Sequence, residues 1–155
     1  MTIQLATQTH IPGLIHLLRQ VGQVHHHIRP DIFPAATQKY DEDQLSALLQ
    51  DKNRPVFVAL EGNAVTGYCF CQLESIPQTA CSVPRKELYI DDLCVDEACR
   101  GQGIATALYR HVQTFAADKD VQHITLNVWC GNENALRFYE RMGMKPRKIV
   151  MEQKL

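Results

Sequence analysis

No run in this sequence approaches the roughly 18–20 consecutive apolar residues that a membrane-spanning helix needs. No basic cluster followed by an apolar core opens the chain, which begins Met1-Thr2-Ile3-Gln4-Leu5, so no export leader is expected. Positive charge is not in excess either. Sixteen Lys and Arg stand against seventeen Asp and Glu, a formal charge of −1, whereas gripping nucleic acid through its phosphates takes a cationic surplus. The six cysteines, Cys69, Cys71, Cys81, Cys94, Cys99 and Cys130, include no C-x-x-C pair, which argues against zinc and against a dithiol redox motif. They are expected to be small hydrophobic residues kept reduced in a cytoplasmic protein. Cys69-Phe70-Cys71 places two thiols on one face of a strand. Internal repeats, low-complexity tracts and linkers are also missing.

What is present is one domain of ordinary size. The 155 residues are 45% hydrophobic and 21% charged, enough for a single core in a folded chain. Residues 3–6 read as a short first strand. Ile11, Leu14, Leu17, Leu18 and Val21 recur at helical spacing behind a cap at Thr9. Residues 24–36 break that pattern with Pro30 and Pro34, which predicts an irregular segment or short helix. Asp41 starts a second helix carrying Leu45, Leu48 and Leu49. Residues 56–60 and 65–73 form a hairpin around Glu61-Gly62-Asn63, and 87–95 is the next strand. A helix over 103–117, a strand over 124–129, a helix over 132–142 and a last strand over 146–153 complete the order β-α-α-β-β-β-α-β-α-β, a mixed α/β domain.

The most informative stretch is Leu93-Cys94-Val95-Asp96-Glu97-Ala98-Cys99-Arg100-Gly101-Gln102-Gly103-Ile104-Ala105-Thr106. A strand ends, a turn follows, and a helix opens on glycines. Unpaired N–H groups and the helix dipole make such a point attractive to anions, and Arg100 adds a full charge. A Walker loop is excluded because no Lys-Ser or Lys-Thr follows the glycines. A dinucleotide fingerprint fits poorly, since Thr106 stands at its last position and only about fifty residues remain for a Rossmann sheet. A glycine-bearing turn without ligand and a pyrophosphate site both remain open on this stretch alone.

Arg100-x-x-Gly103-x-Ala105 resembles the R/Q-x-x-G-x-G/A signature of the GCN5-related N-acetyltransferase superfamily. Tyr89-Ile90-Asp91-Asp92-Leu93-Cys94-Val95 is similar to that family's central strand. Asn132-Glu133-Asn134-Ala135-Leu136-Arg137-Phe138-Tyr139-Glu140-Arg141-Met142-Gly143-Met144 is similar to its asparagine-initiated last helix. The likeness spans about residues 86–146. It implies a twisted, mostly antiparallel sheet with one splayed pair of parallel strands and flanking helices. It also implies acetyl-CoA as cosubstrate and no metal. The coenzyme pyrophosphate would rest on backbone amides of Arg100, Gly101, Gln102, Gly103, Ile104, Ala105 and Thr106. The pantetheine arm would pair with Leu93, Cys94 and Val95 as an added strand. Asn132 or, by its spacing to Tyr139, Asn134 would touch the arm. A homodimer through sheet edges and C-terminal strands is a further implication, with Ile149-Val150-Met151 as an apolar edge.

The chemistry has two obstacles. A primary alkylamine with a pKa of about 10.4 is protonated near neutrality, so a carboxylate must help remove a proton. The departing thiolate, at about 8.5, needs a proton donor, and a tyrosine at about 10 can serve with a gap of roughly 2 kcal/mol. By resemblance Tyr139 is that acid. Asp91 and Asp92, adjacent on a strand, are expected to point to opposite faces, so that only one meets the acceptor. Ile90-Asp91-Asp92-Leu93 is similar to a segment of diamine acetyltransferases in which the first carboxylate faces the amine, which points to Asp91; Glu87 shares its parity. The family builds its acceptor wall after the first helix, so His27, Arg29 or Phe33 would contact substrate. His25-His26-His27 cannot all face one ion in a regular element, so no metal is expected there. The leading reading is acetyl transfer to a small-molecule amine. A peptide or protein acceptor and a catalytically silent CoA-binding sensor are the alternatives.

Overall fold

The computed structural model describes all 155 residues. Strand β1 (Thr2–Leu5) leads through a 3-10 turn, Gln8–His10, into helix α1 (Ile11–Ile28). The expected cap Thr9 lies inside that turn. Thr7 closes it instead, its N–H donating to His10 Nδ1 at 2.9 Å. Pro12 sits in the first turn of α1, where its missing N–H has no intrahelical partner to lose. The helix runs on through His25, His26 and His27, correcting the expectation of a break at residue 24. The reason is periodicity: Leu14, Leu18, Val21 and His25 continue one stripe, and the next proline after Pro12, Pro30, comes only after Arg29 ends the helix. Helix α2 (Glu42–Leu48) begins at Asp41, whose Oδ1 accepts from the Gln44 N–H at 2.8 Å while Gln44 Oε1 accepts from the Asp41 N–H at 2.9 Å.

Strands β2 (Val56–Glu61), β3 (Ala64–Ile76) and β4 (Arg85–Val95) form an antiparallel meander. After a 3-10 turn at Glu97–Cys99 comes helix α3 (Ile104–Asp118), then strand β5 (His123–Leu126) and helix α4 (Glu133–Arg141). The sheet order is β1-β2-β3-β4-β5, with β4 and β5 the one parallel pair. Period-2 alternation sorts the core into two layers. Val56, Val58, Tyr68 and Phe70 face α1 and α2; Phe57, Ala59, Cys69 and Cys71 face α3. Cys69 Sγ and Cys71 Sγ are 3.7 Å apart on one face, as C-x-C spacing predicts, and all six cysteines are free thiols.

The expected last strand over 146–153 does not form. Residues 145–155 are irregular. Two ion pairs tie this tail to the body: Arg147 Nη2 lies 2.7 Å from Glu87 Oε1, and Arg29 Nη1 lies 2.5 Å from Glu152 Oε1. Between these ties Ile149, Val150 and Met151 are 80%, 83% and 85% exposed. Their apolar side chains find no rung on β5, which pairs over only four residues. Glu87 is thereby accounted for as a tether. Arg147 and Arg85 hold its carboxyl down at about 2 against the desolvation that would raise it. No helix is long and apolar enough to cross a membrane.

Candidate active site

The site is built where β4 and β5 part. Their parallel register runs from Glu87 opposite His123 to Ile90 opposite Leu126 and then stops. Strand β4 continues to Val95 along β3, so residues 91–95 have a strand neighbour on one side only. The chain beyond Leu126 turns away toward α4. This is the V-shaped splay the resemblance implies, and it leaves one edge of β4 open to an extended ligand.

A bulge shapes that edge. Phe70 pairs with Asp92 and Cys71 with Ile90, which leaves Asp91 as an extra residue on β4. Leu88 and Ile90 face the α3 layer, yet Cys94 belongs to the α1 layer. The inserted residue has switched the parity. Asp91 and Asp92 therefore both lie on the α1–α2 side, correcting the expectation that they point apart. Strict alternation fails here because one residue has no cross-strand partner.

The two carboxylates sit in different surroundings. Asp91 is spent on protein partners: Lys39 Nζ donates to its Oδ1 at 2.6 Å and Tyr40 Oη to its Oδ2 at 2.8 Å. Arg54 in turn donates to Tyr40 Oη at 2.9 Å. Desolvation opposes the Lys39 charge, and the Asp91 carboxylate more than offsets it, so the ammonium pKa is raised. Asp92 has no cation in contact. Tyr68 Oη donates to its Oδ2 at 2.7 Å, and Oδ1 has no side-chain partner. Desolvation pushes the Asp92 carboxyl up to about 6, against the Tyr68 hydrogen bond and the more distant Lys39 charge. Part of its surface stays exposed.

A glycine turn with unpartnered backbone amides follows β4. Gly101 and Gly103 have φ of +79° and +81°, and Gly103 is the left-handed cap of α3 with no side-chain capping bond. An L side chain is strained at either, so these turns call for glycine. The N–H groups of Asp96, Glu97, Ala98 and Cys99 are all taken within the chain. The seven that follow, from Arg100 through Thr106, find no partner in it, and Ala107 is the first to bond back into the helix. Seven consecutive free amides at a helix start suit a pyrophosphate. Arg100 is held beside them by its Nε, 3.4 Å from the Val95 carbonyl.

The remaining expected residues separate. Leu93 and Val95 pack, partly buried, on the α3 layer, while Cys94 is buried on the opposite side with Sγ 3.8 Å from the Leu17 carbonyl. Asn132 caps α4, its Oδ1 accepting from the Ala135 N–H at 3.2 Å. Asn134 is exposed in the first turn and receives only Arg137, at 3.3 Å. Tyr139 packs against Tyr109 and Phe138 at 6.2 and 5.1 Å. Burial drives its pKa well above the usual phenol value, and the Asp92 carboxylate pushes the same way. Its hydroxyl bonds to no group of the protein. Since no fully buried side-chain oxygen lacks a partner, that hydroxyl keeps access to open space.

Of the residues expected to contact an acceptor, His27 is exposed on the outer face of α1 and Arg29 is occupied by Asp31 and Glu152. Phe33 stacks on His25 at 5.0 Å and meets Trp129 edge-on at 5.2 Å. The sequence singles out the histidine triplet as a whole, and the helical stripe picks His25 from it as the one that faces inward. Sequence reasoning missed Lys39, Tyr40 and Tyr68, which carry no local signal, because a bulge and an irregular segment bring them together.

The acetyltransferase (GNAT) family profile matches residues 22–144. N-acetyltransferase 8B of Mus musculus is 32% identical over 108 residues, 70% of this chain and 45% of that protein. An uncharacterized N-acetyltransferase of Methanocaldococcus jannaschii is 38% identical over 63 residues, 40% of each. The chain thus spans less than half the length of these curated relatives. The crystal structure of a mutant Bacillus halodurans protein superposes with a TM-score of 0.96 at 30% identity, covering 100% of this chain and 99% of that one. An aminoglycoside acetyltransferase from a soil metagenome, bound to sisomicin, shares the fold with a TM-score of 0.72 at 22% identity, covering 99% and 95%. With the profile covering most of its length, the chain belongs to the acetyltransferase (GNAT) family.

Proposed function

We propose that this chain is an acetyl-CoA-dependent N-acetyltransferase that passes the acetyl group to the primary amine of a small molecule by direct attack in a ternary complex. One observation carries the reading: seven unpartnered amides, Arg100 to Thr106, stand at the end of a strand whose outer edge is open from Asp91 onward. Backbone groups of Leu93, Cys94 and Val95 supply hydrogen bonds for the pantetheine arm, and Asn134 is free to reach it from α4. Asn132 is committed to its cap. When bound, acetyl-CoA supplies the thioester. A backbone N–H at the β4 bulge stabilises the oxyanion that develops during attack. Asp92 takes a proton from the bound ammonium, directly or through water, so that the free amine attacks; the second nitrogen proton passes to the departing thiolate or to solvent as the C–S bond breaks. Asp91 holds Lys39 and Tyr40 in place beside Asp92. The Tyr139 hydroxyl donates a hydrogen bond to the departing sulfur.

The local likeness of residues 90–93 to diamine acetyltransferases gains no support from the relatives, and Asp91 already has two protein partners. Calorimetry with coenzyme A, paired with a thiol-release assay over amines and peptides, tests the proposal. Heat of binding together with turnover on small amines is expected. Absence of any heat with the coenzyme removes the donor site. Heat without turnover on any acceptor makes the chain a silent sensor, and turnover confined to peptides moves the acceptor class.

The homodimer remains a proposal as well. Its support is the exposed Ile149-Val150-Met151 segment and a groove of about 440 Å³ beside β5, lined in part by Val121, Ile124, Met142 and Met144. Sedimentation equilibrium at micromolar concentration is expected to return twice the chain mass, 35 kDa by order of magnitude (about 17.6 kDa per chain). A single 17.6 kDa species would end that reading.

A further inference from the structure

Beyond the last rung of the β4–β5 ladder the opening has two lips of different character. One lip is β4 with Asp91 and Asp92. The other is the chain that leaves β5, with Asn127 and Trp129, backed by the end of α1. Asn127 Nδ2 donates to Tyr89 Oη at 3.1 Å and closes the base of the V. The far lip is aromatic: His25, Phe33 and Trp129 form one continuous set of ring contacts at 5.0 and 5.2 Å. Arg29 covers one face of Trp129 at 6.0 Å, Phe33 meets it edge-on, and the residue is still 38% exposed. Gly131 brings the same chain against Ile28, whose Cγ2 would stand 3.2 Å from an added Cβ.

Charge around the opening is nearly all settled. Asp91 faces Lys39 at 2.6 Å, and Asp31 and Glu152 share Arg29 at 2.8 and 2.5 Å. Of these four carboxylates Asp92 alone touches no cation; its partner is the neutral Tyr68 hydroxyl. A second or third ammonium on the acceptor would find no free carboxylate and would meet Lys39 and Arg29 instead. Like charges at this range are repulsive, more so in a partly desolvated cleft. An aromatic group next to the amine would find rings already fixed by their mutual contacts, at offset or edge-on geometry that favours ring–ring association.

Resting on the proposed acetyltransferase reading, we infer that the acceptor is a small monoamine carrying an aromatic group close to its nitrogen, with Asp92 receiving the single ammonium and the Phe33–Trp129 wall receiving the ring. This wall is then a specificity determinant and stands apart from the acid–base groups.

The test compares kcat/KM for 2-phenylethylamine, n-butylamine, putrescine and spermidine in the wild type and in Trp129→Leu, which keeps an apolar side chain where alanine would leave a hole. In the wild type, 2-phenylethylamine is expected to exceed butylamine and both polyamines at least tenfold. Trp129→Leu is expected to raise KM for 2-phenylethylamine at least fivefold and to lower the ratio of kcat/KM for 2-phenylethylamine to that for butylamine at least fivefold. Coenzyme A heat and the melting temperature, unchanged in the variant, exclude a folding defect; should either fall, Phe33→Leu is read by the same criteria. Putrescine or spermidine equalling the aromatic amine overturns the inference, as does equal loss on both monoamines. Coenzyme heat with none of the four amines consumed overturns it too, without touching the donor site. Absence of coenzyme heat in the wild type instead breaks the reading beneath it.

Discussion

Asp92→Asn is expected to lower kcat/KM for amine acetylation by at least a hundredfold and to erase an acid limb centred near pH 6. The magnitude is that of general base catalysis, about 10²–10⁴-fold. The limb follows from burial, which raises the Asp92 carboxyl to about 6. A carboxylate near its ordinary value would face an alkylammonium at about 10.4 across more than six units. Lifting the base by about two units removes roughly 3 kcal/mol from that gap, at about 1.4 kcal/mol per unit. The sign is fixed by which form works. The base must be ionised, so activity falls as pH drops through 6 and is level with respect to this group above it. Stability runs the other way. A carboxyl whose folded pKa lies above its unfolded value of 3.8 disfavours the folded state once ionised; that penalty is fully present above about 6 and vanishes below 3.8. Asp92→Asn is therefore expected to melt no lower than wild type at pH 7.5, which separates lost chemistry from lost fold. Asp91→Asn is expected to keep the limb near 6. Rate–pH profiles of the two variants decide the matter: a limb that survives in Asp92→Asn, or a loss under threefold, would assign the base elsewhere.

The contrast between the two aspartates shows how far the sequence could be read. The strand carrying them, the glycine turn after it and the helix bearing Tyr139 were all legible, because each is local: period-2 alternation, two positive-φ glycines, an Asn cap. Which way Asp91 and Asp92 point was not legible. It depends on one unpaired residue between Ile90 and Asp92, and a bulge is a property of two strands together. The partners that make the carboxylates unequal, Lys39 and Tyr40 against Tyr68, lie between 24 and 52 residues away in sequence. The last strand failed for a related reason. Residues 149–151 have the composition of a strand, but pairing needs an available neighbour in register, and the flanking residues of the tail are pinned by Glu87 and Arg29. Reading His25-His26-His27 as a break failed through weighing two prolines that lie beyond the helix end.

Tyr139→Phe is expected to lower kcat at least tenfold while the affinity for acetyl-CoA changes little. The substitution removes one hydroxyl and keeps the ring, so the contact with Tyr109 that anchors α4 on α3 survives, and the melting temperature should move little. The structure changes what that hydroxyl can do. A gap of roughly 2 kcal/mol between an ordinary phenol and a thiolate holds only for an exposed tyrosine. Burial raises the Tyr139 pKa well beyond that, which widens the gap and makes full proton transfer to sulfur a poorer description. The same shift keeps the group protonated throughout the working range, as a permanent hydrogen-bond donor. With no protein acceptor competing for it, the hydroxyl is free to stabilise charge building on the sulfur, and one well-placed donor in a desolvated site accounts for a factor of about a hundred to a thousand. Two readouts follow. Steady-state turnover with saturating acetyl-CoA should fall while calorimetric affinity holds. The wild-type profile should also show no alkaline limb from this residue up to about pH 10. Turnover within threefold of wild type, or an alkaline limb lost specifically in Tyr139→Phe, would remove the hydroxyl from this role and leave the ring as packing alone.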